Sequence, residues 1–216
     1  MEQLIICGLG VRVPEETTLE TLQALADCRV VYTDLADKKA RAWLAGYCGK
    51  IKTPASAAEI LKDAAKGGVG LAVWGNPQSS SRLARDVELG AQKSGLVFRV
   101  YGAISPIGSV FARSVSFLGG DYGYQGIQSY DVSTLLDDAK AATAELPLVL
   151  YAEAEEPARW KKALTLLAAN YPEGHKARLY RPDGETEGAL SALKPVERSV
   201  ILIPPAKPLE TRKTKW

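Results

Sequence analysis

Three short loops carry the residues whose types and spacing could do chemistry. They are "CGLGVRV" (Cys7 to Val13), "VWGNPQSSSRL" (Val73 to Leu83) and "YGAISPIGSVFAR" (Tyr101 to Arg113). Each follows an apolar run and leads into a helical pattern. In the second loop Gly75 lets a ligand approach the backbone, and Pro77 stiffens the turn while removing a donor. Asn76, Ser79, Ser80 and Ser81 offer side-chain hydrogen bonds and a helix N-cap. The third loop offers a small-residue turn with hydroxyls at Ser105 and Ser109. Three glycine-bearing loops, each just past a strand, can converge on one small-molecule cleft. Open α/β sheets bind ligands at such a place, beyond the carboxyl ends of their strands.

The first loop invites a dinucleotide reading and fails it. The fingerprint needs G-x-G-x-x-G, and the third glycine position is Val13. The following helix also starts several residues too late. Asp34, at the end of the second strand pattern, could accept a ribose hydrogen bond, but a lone acid there is more often a turn residue.

The elements that must position these loops follow from periodicity. Residues 3–7 read as a strand, and a helix capped by Thr17 or Thr18 presents Leu19, Leu22, Leu25 and Ala26 as its apolar face. "RVVYTD" is a second strand and "KKARAWLAG" a second helix. A weak strand lies near Lys50–Thr53, and a helix after Pro54 ends at Gly67-Gly68. A buried strand spans Leu71 to Gly75. Its helix opens on the three serines and carries Leu83, Ala84 and Val87 inward, and "LVFRVY" is the next strand. Strictly alternating strands and helices predict a mostly parallel sheet covered on both faces.

The character changes near Tyr101–Ser105, where a domain boundary is expected. The reading gives an N-terminal α/β domain over 1–103, a C-terminal α/β domain over 104–206 and a basic tail over 207–216. The second half holds a helix from Ile107 to about Val115, a glycine-rich hairpin or loop, and a strand at Ile127–Tyr130. A helix opened by Asp131 or Ser133 follows, then the strand "PLVLYAEA". The next helix places Trp160, Ala163, Leu164 and Leu167 on one face. "KARLYR" and "RSVILIPPA" are strands, with polar loops between them over 181–197.

Composition narrows the classes. The chain has 216 residues, is 46% hydrophobic and carries a net charge of +2, enough to bury a sizeable core. Acids and bases are interspersed, which argues against a nucleic-acid partner. No apolar run approaches the roughly 20 residues of a membrane helix, so no membrane partner is expected. Cys7, Cys28 and Cys48 show no C-x-x-C spacing and fit a reduced, cytoplasmic setting. The single histidine, His175, excludes multi-histidine zinc sites, and no metal is expected.

The opening "LIICGLGVRVPEETTLETLQALADCRVVYTDL" resembles that of the tetrapyrrole methylase-like, class III S-adenosylmethionine-dependent methyltransferases. "VWGNPQSSSRL" is similar to their Gly-Asp-Pro loop, and "YGAISPIGSVFAR" to their Pro-Gly-x-Ser linker and helix. Among them the chain looks closest to the borosin peptide-backbone N-methyltransferases, through "WGNP", "QSY" (Gln128 to Tyr130) and "SVILIPPAKPLE". The resemblance implies two α/β domains in a tetrapyrrole methylase-like fold, S-adenosylmethionine in the cleft between them, and a homodimer. It implies cofactor contacts at Trp74, Gly75, Asn76 and Ser79, and less closely at Gly8 to Val11, Gly10 included. Ser105 and Pro106 would border the methionine part. Gln128 and Ser129 would come from the second domain, with Tyr151 and Ala152 nearby.

The implied activity is methyl transfer to a peptide backbone amide, another small molecule or a tetrapyrrole. Tyr47, Tyr122 or Tyr124 would polarise or deprotonate the acceptor. The chain departs from the pattern in all three loops. Val11-Arg12-Val13 stands for Pro-Gly-Asp, Asn76 for Asp or His, and Gly102-Ala103 for Pro-Gly. The arginine-tyrosine set of the borosin enzymes is missing, with Lys50, Lys52 and Thr53 in its place. These departures keep open a catalytically degenerate member that binds or scaffolds without chemistry.

Overall fold

The computed structural model describes residues 2–35, 37–54, 56–114, 126–137, 142–152, 156–181, 184–196 and 198–206. The chain divides into two compact units, Met1–Ser109 and Val110–Trp216.

The first unit alternates strands and helices. β1 (Leu4–Gly8), β2 (Val30–Thr33), β3 (Ile51–Lys52), β4 (Val69–Val73) and β5 (Phe98–Tyr101) form a sheet of order β3-β2-β4-β1-β5. Every paired strand in it is parallel. The intervening helices are α1 (Leu19–Ala26), α2 (Lys38–Ala45), α3 (Ala57–Ala64), the single turn α4 (Pro77–Ser80) and α5 (Arg82–Lys93). Leu25 of α1 and Ala40 and Leu44 of α2 pack on one face with Cys7, Leu9, Val31 and Ala72. Ile60 and Ala64 of α3 and Ala84, Val87 and Ala91 of α5 pack on the other, with Leu4, Ile6, Tyr32 and Leu71. A sheet covered on both faces explains why its strands read as continuous apolar runs.

Two local expectations change. Leu19 is 77% exposed, and the buried residues of α1 are Thr21 and Leu25. Thr18 caps the helix by accepting from the Thr21 amide, which rotates Leu19 outward and brings the Thr21 hydroxyl within 3.3 Å of the Gly8 carbonyl. The strand expected over Leu71–Gly75 runs two residues earlier. Gly75 has φ +68°, a left-handed conformation that cannot continue a strand.

The three cysteines are buried, unpaired thiols. Burial, then the nearby Cys48 and Asp27, pushes the Cys28 thiol up to about 11. Burial likewise raises Cys7 and Cys48. Little thiolate exists at neutral pH, and the thiolate is the reactive form. The folded protein should therefore label slowly with a thiol reagent at pH 8 and rapidly once denatured. Fast labelling of the native chain would contradict this packing.

The second unit has a mixed sheet. β6 (Gln128–Asp131), β7 (Leu148–Tyr151), β8 (Lys176–Arg181), β9 (Gly184–Ala189) and β10 (Val200–Ile203) lie in the order β6-β7-β10-β8-β9. β6 and β7 are parallel, and the other pairs are antiparallel. α6 (Pro106–Ser114) runs across the division between the units, and α7 (Val132–Asp137) and α8 (Pro157–Ala168) follow. The expected face of α8, Trp160, Ala163, Leu164 and Leu167, is buried in this core with Leu150, Leu179 and Ile201.

β9 was expected to be loop. Its sequence, GETEGA, has no apolar alternation because it is an exposed edge strand, and charged residues at an edge discourage further pairing. No helix of the described residues is long and apolar enough to cross a membrane. Among those residues no group of three or more His, Cys, Asp or Glu could hold a metal ion. The basic tail lies outside the described residues.

Candidate functional site

In the first sheet the chain leaves β1 toward β2 and leaves β4 toward β5, in opposite directions across neighbouring strands. The carboxyl ends of β1 and β4 are therefore a topological switch point, where a ligand crevice is expected. All three glycine-bearing loops meet here, as their placement after β1, β4 and β5 requires.

They meet by bonding to one another. The Gly75 amide donates to the Gly10 carbonyl at 2.8 Å, and the Gly10 amide to the Gly75 carbonyl at 3.2 Å. Gly10 has φ +80°, so both glycines are in the left-handed region. Asn76 joins the third loop. Its Nδ2 donates to the Ala103 carbonyl at 2.9 Å, while its Oδ1 caps α4 by accepting from the Gln78 amide at 3.0 Å. Trp74 is 1% exposed and donates its indole N–H to the Val11 carbonyl at 3.1 Å. Its side chain braces the first loop from inside rather than facing a ligand.

The serines divide between tasks. The Ser80 hydroxyl accepts from the Asn76 amide at 3.2 Å. Ser81 caps α5 by accepting from the Ala84 amide at 3.2 Å. The expected single helix is thus two, because Ser81 is extended (φ −123°, ψ 117°) and ends one helix while starting the next. Ser79 is exposed, with its hydroxyl 3.3 Å from that of Ser80. The Ser105 hydroxyl accepts from the Gly108 amide at 3.1 Å, in the first turn of α6. Pro106 is buried, with its Cδ 3.4 Å from where a Gly75 Cβ would lie.

The glycines test whether a cofactor fits. A Cβ on Gly8 would lie 2.4 Å from the Gly75 carbonyl oxygen, 2.7 Å from Ala103 Cβ and 2.8 Å from Pro77 Cδ. One on Gly10 would lie 2.5 Å from Glu16 Cβ, and one on Gly75 2.6 Å from Ser80 Oγ. These three cradles are filled by the chain itself, so the three loops pack directly on one another there. Gly102 differs. It is exposed, and a Cβ there would meet only Asn76 Nδ2, at 3.4 Å. With exposed Gln78, Ser79 and Ile104, the Gly102–Ser105 turn forms an outer rim with room, polar side chains and an apolar surface.

The remaining expected residues lie elsewhere. Tyr47 is 49% exposed and rests against Trp43. It sits in the connection that leads into β3, at the amino-terminal edge of a parallel sheet and so opposite the three loops. The sheet does not bring it to them. Tyr122 and Tyr124 lie outside the described residues.

In the second unit the Gln128 side chain is engaged at both ends. It accepts from the Thr143 amide at 2.8 Å and donates to the Thr143 carbonyl at 2.7 Å. Ser129 pairs with Val149 inside the sheet, Tyr151 ends β7, and Ala152 is buried after it. Sequence reasoning missed Gln78, Ile104, Tyr101 and Glu16. Tyr101 is the tyrosine at the carboxyl end of β5, its hydroxyl accepting from Arg99 at 3.3 Å. "VRVPEETTL" gives no local sign that Glu16, rather than Glu15, turns inward.

A family model described as tetrapyrrole (corrin/porphyrin) methylases matches residues 3–181. No curated protein matches the chain. Among solved structures the chain is similar to the methyltransferase CobJ, at 15% identity and a TM-score of 0.66, over 95% of each chain. It is similar to uroporphyrin-III C-methyltransferase from Thermus thermophilus complexed with S-adenyl homocysteine, at 15% identity and a TM-score of 0.69. That match covers 93% of this chain and 96% of the other. At such identities the likeness establishes the fold.

Proposed function

We propose, for a chain that belongs to the tetrapyrrole (corrin/porphyrin) methylase family, the activity of an S-adenosylmethionine-dependent methyltransferase. The observation that carries this reading is the meeting of three loops at the switch point, with one open rim at Gly102–Ser105 beside Gln78 and Ser79. Bound there, S-adenosylmethionine supplies a methyl group already activated by its sulfonium. The chain's own residues then have to hold the acceptor in line and exclude water. The Ser79 hydroxyl and the Gln78 amide can orient a polar ligand, Ile104 offers apolar surface, and the Gly10–Gly75 and Asn76–Ala103 bonds keep the rim rigid.

The acceptor we favour is a peptide backbone amide or another small uncharged molecule, as the borosin resemblance suggests, with a homodimer as the working assembly. Gln78, Ser79, Gly102, Ile104 and Ser105 are uncharged, and of the three arginines in the loops Arg12 pairs with Glu16 and Arg113 with Glu185, leaving Arg82, exposed at the start of α5. A polycarboxylate tetrapyrrole would want several cations. A degenerate, non-enzymatic member is the second reading, favoured by the three filled cradles and by the engaged side chain of Asn76.

Calorimetry with S-adenosylhomocysteine separates the two. Saturable binding is expected, and Gly102→Leu is expected to weaken it at least tenfold with the thermal midpoint unchanged, because the added side chain points into open rim. An absence of heat with the wild-type chain would favour the non-enzymatic reading.

A further inference from the structure

Glu16 is 7% exposed and sits in a complete anion site. Its Oε2 accepts from two successive amides, Val11 at 2.9 Å and Arg12 at 3.2 Å. Its Oε1 accepts from the Ser109 hydroxyl at 2.6 Å and from Arg12 Nε at 3.2 Å. Consecutive amides aimed at one oxygen form a nest, the backbone geometry that binds phosphates and carboxylates. A cation and a buried hydroxyl complete it. Gly10 leaves the space that the Glu16 Cβ and carbonyl occupy.

We infer that the Val11–Arg12 nest, closed by Ser109, is a carboxylate-binding site whose resident ligand is the chain's own Glu16. Glu16 is a positioning residue. It ties the loop after β1 to the first turns of α6, and it keeps ligand carboxylates off that loop. The site rests on side-chain geometry within the first unit and does not depend on which cofactor the outer rim takes.

Among the described residues, Arg12 is the charged group bonded to this carboxylate. Burial pushes the Glu16 carboxyl up, but the hydrogen bonds from Ser109, Val11 and Arg12 outweigh it and hold the group below its ordinary value. A lowered folded-state value gives stability that is full above the unfolded carboxyl range and is lost as pH falls through the lowered value.

The test uses the full chain carrying Glu16→Ala. The thermal midpoint should fall by about 5 °C. Sodium formate, which can enter the vacated nest, should restore most of that loss, and sodium chloride of equal ionic strength should not. Tryptophan fluorescence should report saturable formate binding in the variant and none in the wild type, because Trp74 donates to the Val11 carbonyl. An unchanged midpoint, or equal recovery with formate and chloride, would overturn the inference.

Should Glu16→Ala not fold, Glu16→Gln decides. The wild-type midpoint is expected to drop on acidification below the ordinary carboxyl range by more than that of Glu16→Gln. Identical acid profiles would overturn the inference.

Discussion

Gly8→Ala is expected to lose S-adenosylhomocysteine binding and about 2–3 kcal/mol of stability. Overpacking a tight site costs about 1–3 kcal/mol, and this site lies at the upper end for a geometric reason. The added methyl meets three loops at once, at the Gly75 carbonyl, Ala103 and Pro77, all within 2.8 Å. None of these is the far end of a flexible side chain. Moving the Gly75 carbonyl would break its bond with Gly10, and moving Ala103 would break its bond with Asn76. The rim at Gly102 would move with it. Urea unfolding and calorimetry measure both effects. Gly49→Ala is the control, since nothing lies within 4 Å of its added Cβ, and it should be close to neutral. A Gly8→Ala protein with wild-type stability and binding would mean that the three loops are not locked together as described.

Trp160→Ala should be the most damaging change in the second unit. The indole is 1% exposed and is the largest side chain that α8 buries. Truncating a core tryptophan costs about 3–5 kcal/mol, from lost burial and the cavity left behind. Trp160→Phe refines the argument. The Trp160 indole nitrogen is buried with no hydrogen-bond partner among the described residues. Phenylalanine therefore forfeits ring volume but no hydrogen bond, and it removes a donor whose isolation carries a desolvation cost. Its loss should be well under half that of alanine. Chemical denaturation of the two variants gives the comparison. Equal losses would show that the indole nitrogen has a partner after all.

The α/β class was readable because local chemistry writes it. Apolar runs of four or five residues, alternating with 3.6-residue periodicity, leave a covered parallel sheet as the economical arrangement. Trp160, Ala163, Leu164 and Leu167 follow one stripe of one helix, so their burial needed no knowledge of the rest of the molecule. Where a polar residue decided the phase, the reading slipped. Thr18 caps α1 and rotates Leu19 outward, and the positive φ of Gly75 ends β4 early. β9 escaped because an exposed edge strand has no apolar face to announce it.

The candidate site was legible as three loops and illegible as a surface. That glycine-bearing loops stand after β1, β4 and β5 follows from the order of residues along the chain. Which atoms fill their glycine cradles does not. The β3-β2-β4-β1-β5 order sets β4 beside β1, and this brings Gly75 onto Gly10, Ser80 under Gly75, and Ala103 against Gly8. Glu16 is the clearest case. Its partners are two amides four and five residues back, the Arg12 guanidinium and a hydroxyl 93 residues away. No local pattern distinguishes it from Glu15. The sequence by itself determined the elements, because propensity, periodicity and capping act over a few residues. Only the tertiary structure decided that Gly8, Gly10 and Gly75 are filled while Gly102 stays open, because that depends on strand order and on contacts between distant loops.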